Sequence, residues 1–194
     1  MDETITVELV ESLIATRRSI LPKRLFEPGP SEHELDLIFR AAAAAPDHGL
    51  LHPWRFVVCP SSRRGDLAVV FAQSLIERDS QATERQIEDA RAKAFRSPFL
   101  MLVVVNLRGL DLAIPASERI VSAGCAIQNV LLMAHAMGYG AGPTSGQAMY
   151  ASHVRSFFKL SSEEEPLCFI SIGTPERSKA GQPRMVPADF VKSL

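Results

Sequence analysis

The sequence predicts an α+β fold in a single domain that covers residues 1–194. Strand-like apolar runs and helix-like amphipathic segments are mixed along the chain, but they do not alternate in regular pairs, which disfavours a doubly wound parallel sheet. The dinucleotide fingerprint G-x-G-x-x-G is also missing, because the segment from Tyr139 to Gly142 holds only part of it and follows a helix. No internal repeat or long linker divides the chain.

The helices are predicted from apolar residues at helical spacing. The first helix covers residues 6–18. The second begins after Ser31, where Glu34 at the third helical position completes a capping box, and it ends at Ala45 because Pro46 follows. Further helical segments are predicted over residues 62–78, 83–96 and 117–137, with helical turns up to residue 159.

The strands are predicted from short apolar runs. Residues 99–106 form a β-branched apolar run, which is typical of a central strand buried on both faces. Shorter strands are predicted at residues 55–59, 139–142 and 167–173. The tail from residue 174 onwards is rich in proline and is predicted to be extended.

The composition restricts the classes of partner. Hydrophobic residues make up 46% of the chain and charged residues 22%, and the formal net charge of -1 creates no overall field that attracts nucleic acid or an anionic membrane. No signal peptide is visible, and polar residues interrupt the longest apolar segment, so no membrane span is predicted. The three cysteines form no C-x-x-C pair, which predicts free thiols and a cytoplasmic location.

The predicted helix over residues 117–137 is apolar on nearly every side and rich in small residues, and Gly138 follows it at the C′ position. A helix that is apolar all round must be covered all round, and small residues allow another backbone to approach closely. One domain of this length covers such a helix incompletely. We therefore predict a homodimer that packs on this helix.

Arg17, Arg18 and Ser19 follow the first helix and bring two guanidinium groups and a hydroxyl together. An arginine fork matches a phosphate group in both geometry and charge. The tripeptide is therefore a candidate anion site. The alternative is that these cations cap the C-terminus of the helix, and the sequence leaves both interpretations open.

Residues 45–56 combine prolines and a glycine with His48, His52 and Trp54, which is typical of a loop that binds a ligand. The flanking prolines disfavour a helix that would align the two histidines, and no third ligand is evident, so no metal is predicted. His48 is either a loop histidine held by hydrogen bonds or an imidazole that faces a ligand, and Trp54 is predicted to anchor the core. No nucleophile–base pair is evident, so we assign no catalytic side chain and attribute the chemistry to a bound cofactor.

Taken in order, these segments resemble the nitroreductase family of flavoproteins, in particular a small bacterial branch with an R-R-S motif and an A-P-D-H…P-W-R-F loop. The resemblance spans nearly the whole chain. The matching segments are Arg17-Arg18-Ser19 and residues 45–48, 53–56, 122–126, 138–146 and 173–175.

The resemblance implies a nitroreductase-like fold, with a mixed but mainly antiparallel sheet flanked by helices. It implies an intertwined homodimer that binds flavin mononucleotide (FMN) at the subunit interface. The implied activity is ping-pong transfer of reducing equivalents from NAD(P)H, through FMN, to nitroaromatics, quinones or a related small-molecule acceptor.

The resemblance also implies which residues bind the cofactor. Arg17 and Ser19 hold the phosphate, with Arg18 beside them and Arg184 as a second phosphate ligand, while His48 contacts the flavin region. The edge of the flavin ring, where a backbone N–H meets ring atom N5, is lined by Pro143, Thr144 and Ser145.

The chain departs from the family pattern at three places. His52 stands where many members have Gln, Ala44 where this branch carries a basic residue, and Pro143-Thr144 where it often has Trp-Arg. Losing an aromatic ring and a cation near the flavin widens the pocket, alters the range of acceptors and weakens flavin binding. These departures motivate one alternative function, a dimeric module that binds or stores flavin without efficient turnover. A second alternative, a cofactor-free dimeric interaction protein, rests only on the apolar helix over residues 117–137.

Overall fold

The central feature of the fold is a five-stranded sheet with helices on both faces, seen in a computed structural model that describes residues 3–109, 111, 113–176 and 184–194. The α-helices are α1 (Glu3–Thr16), α2 (Glu32–Ala43), α3 (Arg64–Arg78), α4 (Glu84–Ala92), α5 (Ala116–Ala136) and α6 (Ser152–Phe157). Short 3-10 turns lie at Pro22–Arg24, His48–Leu50, Ser61–Arg63, Lys93–Phe95, Gln147–Tyr150 and Pro187–Asp189.

The sheet is mixed but mainly antiparallel, as predicted. Its strands are β1 (Leu25–Phe26), β2 (Trp54–Val58), β3 (Phe99–Asn106), β4 (Gly140–Thr144) and β5 (Glu164–Pro175). β3 lies between β2 and β5, and the other edge of β5 pairs with β4 and β1. These pairings are antiparallel, and one parallel bridge joins Ser19 to Ala141 in β4. The predicted α+β class is confirmed.

The sheet separates two apolar cores, because successive side chains of a strand point to opposite faces. Met101 and Val103 of β3 pack with α2 and α5 on one face, while Leu102 and Val104 pack with α3 and α6 on the other. All four side chains are fully buried. The prediction of a central strand over residues 99–106 is therefore confirmed at both of its ends and on both of its faces.

Helix α2 begins as the sequence predicts, but it ends two residues earlier. Ser31 and Glu34 form the predicted capping box. At the other end, the Asn129 side chain donates to the carbonyl of Ala41 at 2.9 Å, and the Ala44 N–H turns back to the same carbonyl. These bonds satisfy the last carbonyls of the helix, so it ends at Ala43 rather than at Ala45.

The predicted helix over residues 83–96 is divided into α4 and a 3-10 turn, and a buried arginine holds this turn. The guanidinium of Arg64, only 4% exposed, donates to the carbonyls of Cys59 (2.9 Å), Ala94 (2.8 Å) and Pro98 (3.3 Å). The carbonyl of Ala94 has no helical donor four residues on, because residue 98 is a proline, and Arg64 supplies a donor instead. Arg64 thus ties the end of β2, the turn after α4 and the segment before β3 to one another.

Strand β5 begins at Glu164, three residues before the predicted strand over 167–173. Acidic residues are poor indicators of a strand, but here each one meets an arginine. Glu164 accepts two hydrogen bonds from Arg55 at 2.6 and 2.9 Å, and Glu165 accepts one from Arg155 at 3.1 Å. These pairs extend the pairing of β5 with β3.

Helix α5 confirms the predicted long segment, and Gly138 follows it with a φ of 86°. One strip of its surface is uncovered: Val121 is 65% exposed, Ile120 is 43% exposed, and a Cβ added to Gly124 would meet open space. None of the described helices combines the length and apolar character needed to span a membrane. The homodimer on this helix stays a prediction, and the uncovered strip leaves room for it.

Candidate functional site

Arg17, Arg18 and Arg184 form a cluster at the C-terminal end of α1. The carbonyl of Arg17 accepts one hydrogen bond from Arg184 Nη2 at 2.6 Å and another from Arg18 Nη1 at 3.0 Å. Arg18 Nη1 also donates to the carbonyl of Ala15 in the last turn of α1. Arg18 therefore caps the helix, which was the alternative interpretation of this tripeptide, whereas the side chain of Arg17 has no such role.

Two nitrogens of the Arg17 guanidinium lack hydrogen-bond acceptors among the described residues. Its Nε and Nη1 atoms are shielded from solvent and have no partner among the described residues. Burial lowers the pKa of Arg17, and repulsion from Arg184 and Arg18 lowers it further. Within the described ranges no carboxylate forms an ion pair with any of the three arginines. A bound anion would supply both the missing acceptors and the missing negative charge.

His135, near the C-terminus of α5, faces the same cluster. Thr16 donates its hydroxyl hydrogen to the carbonyl of Ser12 at 2.6 Å, so the His135 ring Nε2, 2.9 Å from the Thr16 oxygen, donates to it. Burial lowers the pKa of His135, and the charges of Arg17 and Arg18 lower it further. The histidine therefore reports the positive potential of the cluster.

The segment from Ser19 to Leu21 connects the arginine cluster to the sheet. Ser19 bridges Ala141 of β4, and the Ile20 N–H donates to the Ala141 carbonyl at 3.0 Å. A Cβ at Gly142 would lie 2.5 Å from the carbonyl oxygen of Ile20, so only glycine permits this close approach. The segment therefore runs along β4 in a fixed position.

A cleft of about 550 Å³ lies at the end of this segment. Leu21 lines it, together with Thr144 and Ser145 at the end of β4. Leu21 is four residues beyond Arg17, a span of at most about 13 Å in extended chain. The structure thus places the arginine cluster and the cleft at the two ends of one short segment, and none of the three arginines lines the cleft itself.

Of the residues predicted at the ring edge, Thr144 and Ser145 line the cleft, but Pro143 does not. Neighbouring side chains on a strand point in opposite directions, and Pro143 is exposed on the other side of β4. Its role at the flavin edge stays a prediction.

His48 lies far from the arginine cluster of the same chain. It is exposed in a 3-10 turn, with its Nδ1 2.6 Å from Oε2 of Glu118 in the first turn of α5. His135 lies near the other end of α5, about 25 Å further along the helix axis at 1.5 Å per residue. One chain alone therefore does not bring His48 and Arg17 to the same ligand.

Further hydrogen bonds hold the loop that carries His48. The indole of Trp54 donates to Ser122 Oγ at 3.3 Å, and this hydroxyl donates to the Pro46 carbonyl at 2.8 Å, which confirms that Trp54 anchors the loop on α5. The Asp47 carboxylate accepts from the His52 N–H at 2.6 Å. Among the described residues, no group of three His, Cys, Asp or Glu side chains could hold a metal.

The sequence pattern did not indicate the positively charged side chains that line the cleft. Lys23, Arg78, Lys93 and Arg96 all line it. They come from three separate parts of the chain, and the charged run that includes Lys93 looks like an ordinary solvated helix. A weak signal exists in that Phe71, Leu75 and Arg78 share one face of α3 at helical spacing.

The fold and the site define an α+β protein with an unpaired arginine cluster joined to a cleft. The model of the nitroreductase family matches residues 14–174. A Haemophilus influenzae protein provisionally named as an NAD(P)H nitroreductase is 30% identical over 184 residues, which cover 94% of this chain and 98% of that protein. The chain therefore belongs to the nitroreductase family.

Solved structures share the fold. A nitroreductase-like family protein from Bacillus cereus superposes with a TM-score of 0.80 at 18% identity, over 95% of each chain. An NADPH:FMN oxidoreductase from Vibrio harveyi, solved in complex with NAD+, superposes with a TM-score of 0.71 at 18% identity, over 94% of this chain and 75% of that one. The predicted nitroreductase-like fold is confirmed.

The lowered pKa of His135 generates the first prediction. Its folded-state pKa should lie below about 6.5, so the unfolded chain binds the proton more readily and the free energy of unfolding should fall as pH drops below about 6.5. Arg17→Gln, or addition of inorganic phosphate, should raise this pKa toward its ordinary value. NMR titration of the histidine ring protons measures it, with His135→Gln for assignment.

Arg85→Gln is the matched control, because it removes the same charge from an exposed position on α4. It should leave the titration of His135 unchanged. An unchanged pKa in Arg17→Gln would contradict the description of the cluster as a region of positive potential around His135.

Proposed function

We propose that this protein is an FMN-dependent oxidoreductase that transfers reducing equivalents from NAD(P)H to nitroaromatics, quinones or a related small acceptor by a ping-pong mechanism. The observation that carries the proposal is the arginine cluster without acceptors, joined by Ser19–Leu21 to the cleft. Membership of the nitroreductase family supports it, and so does the shared fold with a protein named as an NADPH:FMN oxidoreductase.

The arginine cluster fits the phosphate end of FMN. A phosphate monoester carries about −1.5 to −2 charges and three acceptor oxygens. Arg17 offers donors that lack acceptors, Ser19 adds a hydroxyl next to it, and Arg184 is held against the Arg17 carbonyl at 2.6 Å. Arg18 supplies charge to the cluster while it caps α1. These residues would hold the phosphate.

The cleft fits the ring end of FMN. When bound there, FMN supplies the hydride chemistry that no side chain of this protein offers. Thr144 and Ser145 would line the edge of the ring, where a backbone N–H could meet N5. Lysine and arginine side chains that line the cleft favour a ring that gains negative charge on reduction. The ping-pong order follows if donor and acceptor use the same cleft in turn.

The dimer explains how His48 reaches the flavin. A two-fold axis across the middle of α5 would run two copies of this helix antiparallel, with the uncovered strip at Val121 and Gly124 between them. The His48 end of one chain would then approach the His135 end, and hence the arginine cluster, of the other. We therefore propose a homodimer with FMN at the interface.

Exposed apolar side chains elsewhere support the same arrangement. Apolar side chains that are exposed in one chain are candidates for burial against a second chain. Such residues on α1 and the C-terminal tail are Ile5, Val7, Leu9, Met185, Val186 and Phe190.

We place the protein in the cytoplasm, because its cysteines are free thiols and two of them, Cys59 and Cys168, are buried.

The proposed activity is tested by absorbance. Freshly purified protein, or protein incubated with FMN and freed of excess by gel filtration, should show a bound oxidised-flavin spectrum. Anaerobic mixing with NADH or NADPH should bleach it, and an added nitroaromatic or quinone should restore it. A bound flavin that stays oxidised would instead favour the flavin-storing module, and no retained flavin would favour a cofactor-free dimer.

Arg17→Ala tests the phosphate site. The change removes charge-assisted hydrogen bonds, so FMN affinity should fall by about 1.5–3 kcal/mol, which is about 10- to 100-fold. Fluorescence titration of apoprotein with FMN measures the affinity. Arg85→Ala on the exposed face of α4 should leave the affinity as it is. Equal affinities in Arg17→Ala and the native protein would exclude the assigned role.

Gly124→Glu tests the proposed dimer. The added side chain points into open space in one chain, so the monomer should fold normally. Burying its unpaired carboxylate in the interface costs several kcal/mol, so sedimentation equilibrium should show monomers. Gly65→Glu introduces the same charge at another open helical glycine, on α3, and should stay dimeric. A Gly124→Glu protein that remains dimeric would rule out α5 as the interface.

A further inference from the structure

The cleft combines an apolar floor with a cationic mouth. Phe71, Leu100 and Phe169 line it and are each at least nine-tenths buried. The rings of Phe71 and Phe169 meet edge to face, with centroids 5.6 Å apart. Packing of this kind fixes the rings, which form an apolar surface at the floor of the cleft together with Leu100. By contrast, the four cationic side chains of the lining are all exposed.

The mouth of the cleft is formed where helices end. Phe71, Leu75 and Arg78 lie on one face of α3, so this face leads from the buried floor to the last residue of the helix. Lys93 and Arg96 lie in the turn that follows α4. Arg64 holds this turn through the carbonyls of Ala94 and Pro98, which keeps the mouth in a defined shape.

The charge of the mouth is uncompensated. The lining contains no Asp or Glu, and among the described residues none of its four cations forms an ion pair. Glu77, the acidic residue that precedes Arg78, lies toward His153 instead, at 3.6 Å. Positive side chains gathered in a concave site raise the local concentration of anions. The mouth therefore has the electrostatic character of an anion site.

FMN does not account for all of this charge. Its phosphate is compensated at the arginine cluster at the far end of Ser19–Leu21, and its oxidised ring is neutral. One cation suffices for the charge that the ring gains on reduction, so the others face a second molecule. A cleft of about 550 Å³ lies within the range typical of small ligands, and a ring bound in it leaves space for a small acceptor rather than for most of a dinucleotide.

We propose that the electron acceptor of this enzyme is an aromatic anion. Its ring lies against the apolar surface of the cleft, and its carboxylate or similar group lies at the mouth beside Arg78, Lys93 and Arg96. This assignment rests on the proposed function, since it names the class of acceptor that the flavin enzyme reduces. It makes the cations of the mouth determinants of specificity rather than of flavin binding.

The test compares two probes of nearly the same shape that differ in charge. They are the anion 4-nitrobenzoate and the neutral 4-nitrobenzamide. Calorimetry on the FMN-loaded protein should show about fivefold tighter binding of the anion, the upper range for a partly exposed charge pair. Arg78→Gln should abolish this preference, and Arg78→Lys should restore part of it. Arg85→Gln on the exposed surface of α4 should keep the native preference.

Turnover gives a second readout of the same preference. NADH and a proton supply two electrons and two protons, which convert the nitro group to a nitroso group with release of water. The ratio of kcat/KM for the anion to that for the amide should fall about fivefold in Arg78→Gln. The FMN content of the protein should stay constant, and kcat/KM for the amide should fall less than kcat/KM for the anion.

Equal binding of the two probes by the native protein, or equal effects of Arg78→Gln and Arg85→Gln, would overturn the proposal. A loss confined to NADPH relative to NADH in Arg78→Gln would also overturn it, because the mouth would then serve the donor's phosphate. Absorbance of the same samples separates the two hypotheses. Without retained FMN the proposed function fails, whereas retained FMN and reduction of the amide without charge preference defeat the acceptor class alone.

Discussion

The antiparallel pairing of β5 holds the candidate site together. Its first edge continues β3, the most buried strand of the sheet, and its second edge carries β4. β4 in turn fixes Ser19 and Ile20 through Ala141, and its end lines the cleft. The position of the arginine cluster relative to the cleft is therefore inherited from the core of the sheet, and the glycine at 142 is the point where no side chain can intervene.

The candidate site lowers the stability of the protein when no ligand is bound. Arginines crowded at the end of α1 repel each other, and buried Arg17 nitrogens without acceptors lose the hydrogen bonds that they would make in water. The cationic mouth adds a second region of like charge. Functional sites commonly retain such unfavourable arrangements, because a ligand of opposite charge relieves them when it binds. The two regions of positive charge are therefore better explained by ligand binding than by the stability of the fold.

Features of the fold that depend on neighbouring residues in the chain were predicted well from the sequence. Contacts between distant segments were not predicted. The capping box of Ser31 and Glu34 and the apolar run over 99–106 act through neighbours in the chain, so their pattern is sufficient. Arg64 was missed, because its three carbonyl partners come from distant segments. The cleft was missed for the same reason, and so was the separation of His48 from Arg17, which depends on how α5 lies against both. The sequence motifs indicated which residues belong to the candidate site. Only the fold shows which of these residues lie close together within one chain.

The three hydrogen bonds of Arg64 have a mechanical consequence. Its buried guanidinium donates to carbonyls at the end of β2, in the turn after α4 and in the segment before β3. Moving any one of these segments would leave a buried charge and a carbonyl oxygen without a hydrogen bond. The wall that carries Lys93 and Arg96 is therefore tied to the core through Arg64, and we expect this tie to make local opening of the wall less favourable. We therefore expect this wall to select ligands by their shape rather than to adjust its own shape to them.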